Sequence, residues 1–344
     1  MAVGGKAVGA RIAAVATHLP SRRLTNETLA DDFSGGWSAE KIFEKTGIRE
    51  RRVVEPGETA LDLGHKAAER LLGEAGLSPG QVDFLIFCSQ SPDYVLPASA
   101  CILQERLGLP TNVGAFDFNG GCSGYVYGLA LATGLIAAGS ARTVLLVTAD
   151  TYSRFIHERD RSVRTLFGDG AAATLVVADD SGCTIGPFVF GTDGRGAKSL
   201  IVEAGGARVA RDETTAEPVE DAFGNVRSRD NLLMDGGAVL AFALREVPAV
   251  WRALKERAGL DDAAIDLVLL HQANRFMLDA LVRKLKLDPD KVPYFFETIG
   301  NTVSSSIPFV LEQLIAEGRV GRGNRAALIG FGVGLSWAGC TISF

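Results

Sequence analysis

Cysteine is scarce in this sequence, and its arrangement excludes two classes of protein. The five cysteines are odd in number, are widely spaced and form no Cys-x-x-Cys pair: Cys88, Cys101, Cys122, Cys183 and Cys340. This pattern argues against a disulfide framework and against a structural zinc site. It favours a protein of a reducing compartment, so we expect a cytoplasmic location.

The sequence also has few long apolar runs and no general excess of positive charge. The longest apolar stretch, 124–139, is rich in glycine and shorter than the roughly 20 residues that a membrane span needs. Arg11 and the pair Arg22-Arg23 interrupt any apolar leader near the N-terminus. The formal net charge of −6 at pH 7 argues against binding along a phosphate backbone. We therefore expect neither a membrane nor a nucleic-acid partner.

Motifs for metals and common cofactors are missing as well. The sequence has no Walker loop, no His-Glu-x-x-His segment and no carboxylate cluster with metal-ligand spacing. The turn 331–335 superficially resembles a dinucleotide-binding loop, but 336–344 reads as a strand where that fingerprint requires a helix. A glycine-rich turn between strands can instead bring a backbone N–H close to an oxyanion. We predict no metal and no cofactor.

What the sequence does contain is a pattern that occurs twice. The matching segments are 82–90 with 265–273, 113–118 with 292–297, and 143–147 with 325–329. Short apolar runs separated by helix-length segments predict parallel β-α-β units in sheets covered on both faces. The sequence therefore predicts a pseudo-symmetric α/β protein, with one half at 1–180 and the other at 181–344.

Three polar residues stand at the predicted ends of strands. Cys122 lies in the segment 119–124, His271 in 270–274, and Asn301 in 300–305. Because strand carboxyl ends gather ligands and catalytic groups in α/β proteins, we expect these side chains to converge. A thiol can hold an acyl group while two nitrogen donors stabilise an enolate. The set therefore suits carbon–carbon bond formation through an acyl thioester.

Each of these residues also has a simpler interpretation. Cys122 opens an apolar helix, whose dipole and unpaired N–H groups favour a thiolate, but it could be a plain core cysteine. The core interpretation is the one we adopt for the other four cysteines. His271 could merely cap the next helix, and Asn301 belongs to one of the best capping residue types.

Together these motifs resemble the β-ketoacyl-acyl-carrier-protein synthase III family of the thiolase superfamily. The resemblance runs from about Arg11 to Phe344 and is weakest at Gly205–Asn231. The segments that carry it are 46–51, 119–124, 167–171, 271–274, 300–302 and 331–334. The family implies a layered αβαβα fold, a homodimer, and Cys122, His271 and Asn301 as the catalytic triad.

The resemblance implies a ping-pong mechanism in fatty-acid or specialised-metabolite biosynthesis. Cys122 takes an acyl group from a coenzyme A thioester, while the backbone N–H groups of Cys122 and Val333 hold the oxyanion. A malonyl thioester on acyl carrier protein then loses carbon dioxide. His271 and Asn301 donate hydrogen bonds to the enolate, and the carbanion attacks the acyl-cysteine.

The resemblance also assigns residues to the substrates. It implies that five residues bind the substrates: Arg161, Asn274, Leu96, Lys41 and Lys45. Lys41 replaces the family's adenine-stacking tryptophan and Lys45 an arginine, while Trp37 lies nearby but out of register. Loss of that ring favours a carrier-protein acyl donor.

Leu96 replaces an aromatic that enters the partner's acyl pocket, so we expect a larger or differently shaped acyl group to fit. Val333 stands where the family usually has a glycine, and its side chain is expected to narrow the site.

A group of basic residues follows the His271 segment. Arg275, Arg283, Lys284 and Lys286 lie at helical spacing. They predict either an ordinary solvated helix face or a docking patch for the acidic carrier protein.

Other functions share such a scaffold. An acyltransferase that passes its acyl group to a hydroxyl or amine has no need of Asn301. Condensation with a β-keto acceptor keeps all three residues, but Gln90 lies near where hydroxymethylglutaryl-coenzyme A synthases carry a glutamate. A non-catalytic partner subunit typically lacks the cysteine. The sequence therefore favours a decarboxylating ketosynthase, with the acyltransferase as the alternative.

Overall fold

The structure of the protein is a computed structural model that describes residues 9–33, 36–179 and 185–344. Cys183 lies outside these ranges. The strands are β1 Gly9–His18, β2 Arg22–Thr25, β3 Glu50–Val53, β4 Phe84–Cys88, β5 Gly114–Phe118, β6 Thr143–Asp150, β7 Gly170–Asp179, β8 Ile185–Thr192, β9 Leu200–Val202, β10 Val219–Glu220, β11 Val226–Arg227, β12 Leu232–Met234, β13 Leu267–Leu270, β14 Arg325–Gly332 and β15 Ser336–Ser343. The helices are α1 Asn26–Asp32, α2 Ala39–Thr46, α3 Ala60–Ala75, α4 Ser99–Arg106, α5 Gly124–Ala137, α6 Arg161–Arg164, α7 Glu213–Ala216, α8 Gly236–Ala258, α9 Arg275–Leu285 and α10 Ser306–Ala316.

Two mixed sheets and three helical layers form the body of the described structure, and three two-stranded sheets accompany them: β2-β3, β9-β12 and β10-β11. The first sheet has the strand order β1-β7-β6-β4-β5, and the second has the order β13-β14-β15-β8. Helices α3 and α4 cover the outer face of the first sheet, and α8 and α9 form the outer layer beside the second. Helices α5 and α10 lie between the sheets and contact both. This arrangement is the αβαβα fold that the resemblance implied.

The middle layer explains why α5 is apolar on nearly every face. Val126 and Leu129 of α5 and Leu311 of α10 belong to one buried cluster. The cluster also contains Ile86 of the first sheet and Leu269 of the second. Because a sheet covers each side of such a helix, side chains on both sides of the helix are removed from water. Apolar residues are therefore favoured all round it.

The two halves repeat the same arrangement with one strand fewer in the second. In the first half β4 lies parallel to both β5 and β6, and β6 is antiparallel to β7. In the second half β13 is parallel to β14, and β14 is antiparallel to β15. All strands of the first sheet precede residue 180 and all strands of the second follow it. A domain boundary at residue 180 stays a prediction, since the halves share their middle layer.

The predicted strand at 292–297 is wrong. Among the described residues, no strand pairs with β13 at the position that β5 occupies beside β4 in the first sheet. Pro293 has no N–H to donate to a sheet. The side chain of Gln272 takes the place of a pairing strand, since its Oε1 accepts the N–H of Phe295 (2.8 Å) and its Nε2 donates to the carbonyl of Pro293 (3.3 Å).

Two kinds of feature are absent from the described residues. Among residues 9–33, 36–179 and 185–344, no helix combines the length and apolarity needed to cross a bilayer. Over the same ranges, no group of three or more His, Cys, Asp or Glu side chains is placed to hold a metal ion.

Candidate active site

Cys122 lies in the connection between β5 and α5. The strand ends at Phe118 and the helix begins at Gly124, so the thiol precedes the helix by two residues. Its side chain is buried at 4% exposure. Gly332, at the end of β14, lies directly over the sulfur: a Cβ added there would stand 2.7 Å from Cys122 Sγ. Glycine at 332 therefore keeps the space that the thiol occupies.

The turn after β14 brings a second N–H to the sulfur. The backbone N–H groups of Val333 and Cys122 both donate toward Sγ. Ser336 Oγ donates to the carbonyl of Val333 (2.9 Å) and lies 2.8 Å from Ser123 Oγ, which ties this turn to the Cys122 segment. The Val333 side chain packs against Gly121, where an added Cβ would meet its Cγ1 at 2.2 Å. Two backbone donors thus face the atom to which an acyl group would attach.

Burial decides the protonation of the thiol. Desolvation, and to a smaller extent the charge of Asp150, raise the pKa of Cys122 to about 12, although the N–H groups of Val333 and Cys122 lower it. Burial therefore opposes the thiolate that the sequence led us to expect, and the two N–H donors do not offset the loss of water around the sulfur.

His271 follows β13 directly and is buried. Its backbone N–H donates to the carbonyl of Ile329 on β14 (2.9 Å), which continues the parallel pairing. Its Nδ1 lies 2.7 Å from Ser306 Oγ, and its ring meets Phe331 edge-on with centroids 5.6 Å apart. Burial lowers the pKa of His271 to about 3, so the imidazole is uncharged near neutral pH.

Asn301 is positioned by the first half of the chain. It forms an isolated parallel bridge with Phe167, its N–H donates to Leu166 (2.9 Å), and its carbonyl accepts from Gly168 (3.0 Å). Gly300 has φ +77°, a conformation that favours glycine, and it turns the chain toward α10. Asn301 Oδ1 accepts the N–H of Val303 at 2.9 Å. The turn that contains Phe167 therefore holds the backbone of Asn301 as well as leading into β7.

The three predicted catalytic side chains line one cavity of about 250 Å³. Its other walls are mainly apolar and include Leu166, Phe167, Leu200, Met234, Val239 and Phe331. Asn274 and Phe276 also line it, and Phe276 is 59% exposed. A thiol, an uncharged imidazole and a carboxamide thus share a desolvated space that opens to the surface near α9.

Comparison with known proteins identifies the family of this chain. The sequence profile described as "3-Oxoacyl-[acyl-carrier-protein (ACP)] synthase III" matches residues 116–194, and the profile of its C-terminal part matches 255–344. A β-ketoacyl-[acyl-carrier-protein] synthase III of Caldanaerobacter subterraneus subsp. tengcongensis is 35% identical over 339 residues, which cover 98% of each chain. The chain belongs to the β-ketoacyl-acyl-carrier-protein synthase III family.

Solved structures of synthase III proteins have the same fold. A crystal structure of a 3-oxoacyl-(acyl-carrier-protein) synthase III superposes with a TM-score of 0.96 at 55% identity, covering 98% of this chain and 100% of that one. The priming β-ketosynthase of the R1128 polyketide biosynthetic pathway superposes with a TM-score of 0.83 at 32% identity, covering 97% and 96% of the two chains. The similarity therefore reaches both kinds of biosynthesis that the sequence suggested.

At the surface, this synthase III places the aromatic ring of Trp37 among three cationic side chains. The Trp37 ring is surrounded by Lys41 Nζ at 5.7 Å, Lys45 Nζ at 5.5 Å and the Arg161 guanidinium at 5.8 Å from its centroid. Ser162, next to Arg161, lines the cavity. Trp37, which the sequence showed nearby but out of register, precedes α2 by two residues.

The remaining predicted substrate residues have separate locations. Asn274 caps α9, since its Oδ1 accepts the N–H of Met277 (2.9 Å), and it faces the cavity. Leu96 is absent from the cavity lining and is 80% exposed, next to Val95 at 98%. Gln90 lies near Cys122, where its amide accepts from Tyr152 Oη (2.5 Å) and donates to Asn119 (2.8 Å).

The predicted docking residues divide into two groups. Arg275 is held by Glu297 (3.4 Å) and stacks on Phe43 at 5.1 Å from the ring centroid. Arg283 and Lys284 are exposed at the C-terminal end of α9. Arg283 and Lys284 are therefore presented to solvent as a basic surface, together with Lys286, which caps the helix and is also exposed.

The protonation of Cys122 can be measured by alkylation with iodoacetamide. Because only the thiolate reacts and the pKa is raised to about 12, the rate at Cys122 should rise about tenfold per pH unit from pH 7 to pH 10. Peptide mass spectrometry separates Cys122 from Cys101, which is exposed and not the core cysteine that the sequence predicted. Cys101 therefore serves as a control for access of the reagent. A rate at Cys122 that levels off below pH 9 would contradict the buried, protonated thiol.

Proposed function

We propose that this protein is a β-ketoacyl synthase III-type acyltransferase that forms a carbon–carbon bond between an acyl group and a malonyl thioester. The observation that carries this proposal is the single cavity in which Cys122, His271 and Asn301 meet. The product is a 3-oxoacyl thioester of fatty-acid or specialised-metabolite biosynthesis.

In the first half-reaction the acyl group moves to Cys122. The sulfur attacks the carbonyl carbon of the donor thioester, and the N–H groups of Cys122 and Val333 hold the oxyanion that forms. The carbon–sulfur bond of the donor then breaks. The thiol proton of Cys122 passes to the departing sulfur, so the exchange neither consumes nor releases a proton. A protonated resting thiol is compatible with this balance.

In the second half-reaction the malonyl thioester loses carbon dioxide. The electron pair of the broken carbon–carbon bond moves to the thioester oxygen, and His271 and Asn301 stabilise the enolate by hydrogen bonds. The enolate carbon attacks the acyl carbon on Cys122, the carbon–sulfur bond breaks, and the released thiolate takes up one proton from solvent. Two uncharged donors suit this step because neither is a strong base that would quench the carbanion.

The cluster around Trp37 supports coenzyme A as the acyl donor. Lys41, Lys45 and Arg161 provide positive charge for phosphate groups, and the indole offers a flat face for an adenine ring. The cluster adjoins the cavity through Ser162. A ring from a neighbouring position can therefore supply the stacking surface whose loss had favoured a carrier-protein donor.

Acyl carrier protein is the proposed carrier of the malonyl group. The exposed Arg283 and Lys284 on α9 offer a basic surface to an acidic partner. Arg275 contributes less free charge because Glu297 pairs with it. Phe276 is exposed between this surface and the cavity and provides an apolar contact at the entrance.

A homodimer is the proposed assembly. Strand β5 lies at the edge of the first sheet, and its five residues are only half-buried. An edge strand with this composition invites pairing with another strand. The apolar residues Tyr94, Val95 and Leu96 stand exposed after β4, at 61%, 98% and 80%. A second copy of the chain would cover both features and receive Leu96 near its acyl group.

The proposed roles of the triad are tested by separating loading from condensation. Cys122→Ser should give no acyl adduct by intact mass after exposure to acyl-coenzyme A, whereas the control Cys101→Ser should load normally. Asn301→Ala should load normally but form the 3-oxo product at least about 100-fold more slowly, because one of two enolate donors is lost.

Condensation by Asn301→Ala at the native rate would show that Asn301 has no role at the enolate. Appearance of an ester or amide in place of a 3-oxo product would favour the acyltransferase alternative.

Coenzyme A recognition by Trp37 is tested with two donors that share an acyl group. Trp37→Ala should raise KM for acetyl-coenzyme A by about tenfold, the value expected for one lost base-stacking contact. KM for acetyl-pantetheine, which has no nucleotide, should not change, and Trp37→Phe should keep most of the affinity. An equal rise in KM for both donors would contradict nucleotide stacking.

The homodimer is tested by the mass in solution. Light scattering should give the mass of two chains for the native protein and of one chain for the double variant Val95→Asp, Leu96→Asp, because two charges would enter the apolar interface. Val219→Asp, at a 65% exposed apolar residue elsewhere, is the control and should remain dimeric. A monomeric native protein would contradict the proposal.

A further inference from the structure

The first residue of α10 lies against the imidazole of His271. Ser306 Oγ is 2.7 Å from His271 Nδ1 and 3.3 Å from the backbone nitrogen of Gln272. Ser306 is 1% exposed and does not line the cavity. It is thus placed behind the imidazole, on the side opposite the reacting molecules.

The available protons allow one complete pattern of hydrogen bonds at Ser306. The Gln272 N–H can only donate, so Ser306 Oγ accepts it. Among the described residues, His271 Nδ1 is the other polar atom bonded to Ser306 Oγ. If Nδ1 carried a hydrogen, the hydroxyl would accept twice and its own buried proton would lack an acceptor. If the hydroxyl donates to Nδ1, every group is satisfied.

The same turn also orients the second catalytic donor. The N–H of Val303 donates to Asn301 Oδ1 at 2.9 Å, which leaves the NH₂ of that side chain free to face the cavity. Residues 303 to 306 therefore hold the acceptor atoms of both side chains. In each case the opposite atom, a donor, is left for the enolate oxygen.

We propose that Ser306 is a positioning residue that holds His271 in the tautomer protonated at Nε2, so that an N–H faces the substrate. This inference rests on the proposed function, in which His271 donates to the enolate. Without that contact the proton could move to Nδ1, and Nε2 would present a lone pair to a negatively charged oxygen. The edge-on contact with Phe331 keeps the ring from turning to compensate.

The tautomer is tested directly by NMR of the full-length protein labelled with ¹⁵N-histidine. The chain has four histidines, so the signals of His271 are identified as those lost in His271→Asn. The imidazole is uncharged at pH 7, because burial lowers its pKa to about 3. Two-bond ¹H–¹⁵N spectra should show the Nε2-protonated form in the native protein. In Ser306→Ala a substantial population should be protonated at Nδ1.

Ser305→Ala is the matched control. Ser305 is the preceding residue, is equally buried, and bonds to Thr148 (2.9 Å to Oγ1, 3.0 Å to the carbonyl) and not to His271. The Ser305→Ala variant also loses one serine hydroxyl from this turn, but not the one that contacts His271. Its His271 signals should therefore match those of the native protein. A native protein protonated at Nδ1, or an unchanged tautomer in Ser306→Ala, would overturn the proposal.

Kinetics provide a second, independent readout. Ser306→Ala should slow malonyl decarboxylation on the loaded enzyme by about tenfold or more, while acylation of Cys122 stays within about twofold. Ser306→Thr, which keeps the hydroxyl, should recover most of the decarboxylation rate. An equal loss in both half-reactions would indicate a general structural defect and overturn the assignment. Failure of the native protein to load any acyl group would instead overturn the proposed function, and the NMR result would still stand.

Discussion

Burial of uncharged polar groups at the N-terminal ends of α5 and α10 is the constraint on which this site depends. Both helices lie between the two sheets; Cys122 stands two residues before α5, and His271 contacts Ser306, the first residue of α10. Loss of water raises the pKa of the thiol and lowers that of the imidazole, so both are neutral at rest. The same loss of water strengthens the hydrogen bonds that a developing oxyanion receives.

A buried carboxylate connects the parts that must meet. Asp150, at the end of β6, accepts hydrogen bonds from the N–H of Gln90 after β4 and from the N–H and hydroxyl of Ser304 before α10. Burial raises its pKa to about 7 despite these donors. Asp150 thus links two strand ends of the first sheet to the helix start of the second half. This contact joins the halves beside the site, together with the bridge between Asn301 and Phe167.

The sequence was sufficient for the parts of the site that local pattern determines. Cys122, His271 and Asn301 each follow a recognisable boundary before a helix, and the repeat predicted two related sheets. The sequence predicted a strand at 292–297 that the structure lacks, because the side chain of Gln272 bonds to this segment in place of a pairing strand. The pKa of Cys122 could not be predicted from the sequence either, because burial of the thiol depends on cavity residues such as Met234 and Phe331 that lie far apart in sequence. The contact of the Trp37 ring with Arg161 could not be predicted either, since the two residues lie far apart in sequence.

The most direct test is a crystal structure of the Cys122-acylated protein with a malonyl thioester analogue that does not lose carbon dioxide. The central claim is that the two neutral donors hold the carbonyl oxygen on which the enolate forms. The account predicts that this oxygen lies about 3 Å from both His271 Nε2 and Asn301 Nδ2, with the methylene carbon facing the acyl group. A complex in which the malonyl carboxylate occupies that position, with the carbonyl oxygen directed elsewhere, would contradict it.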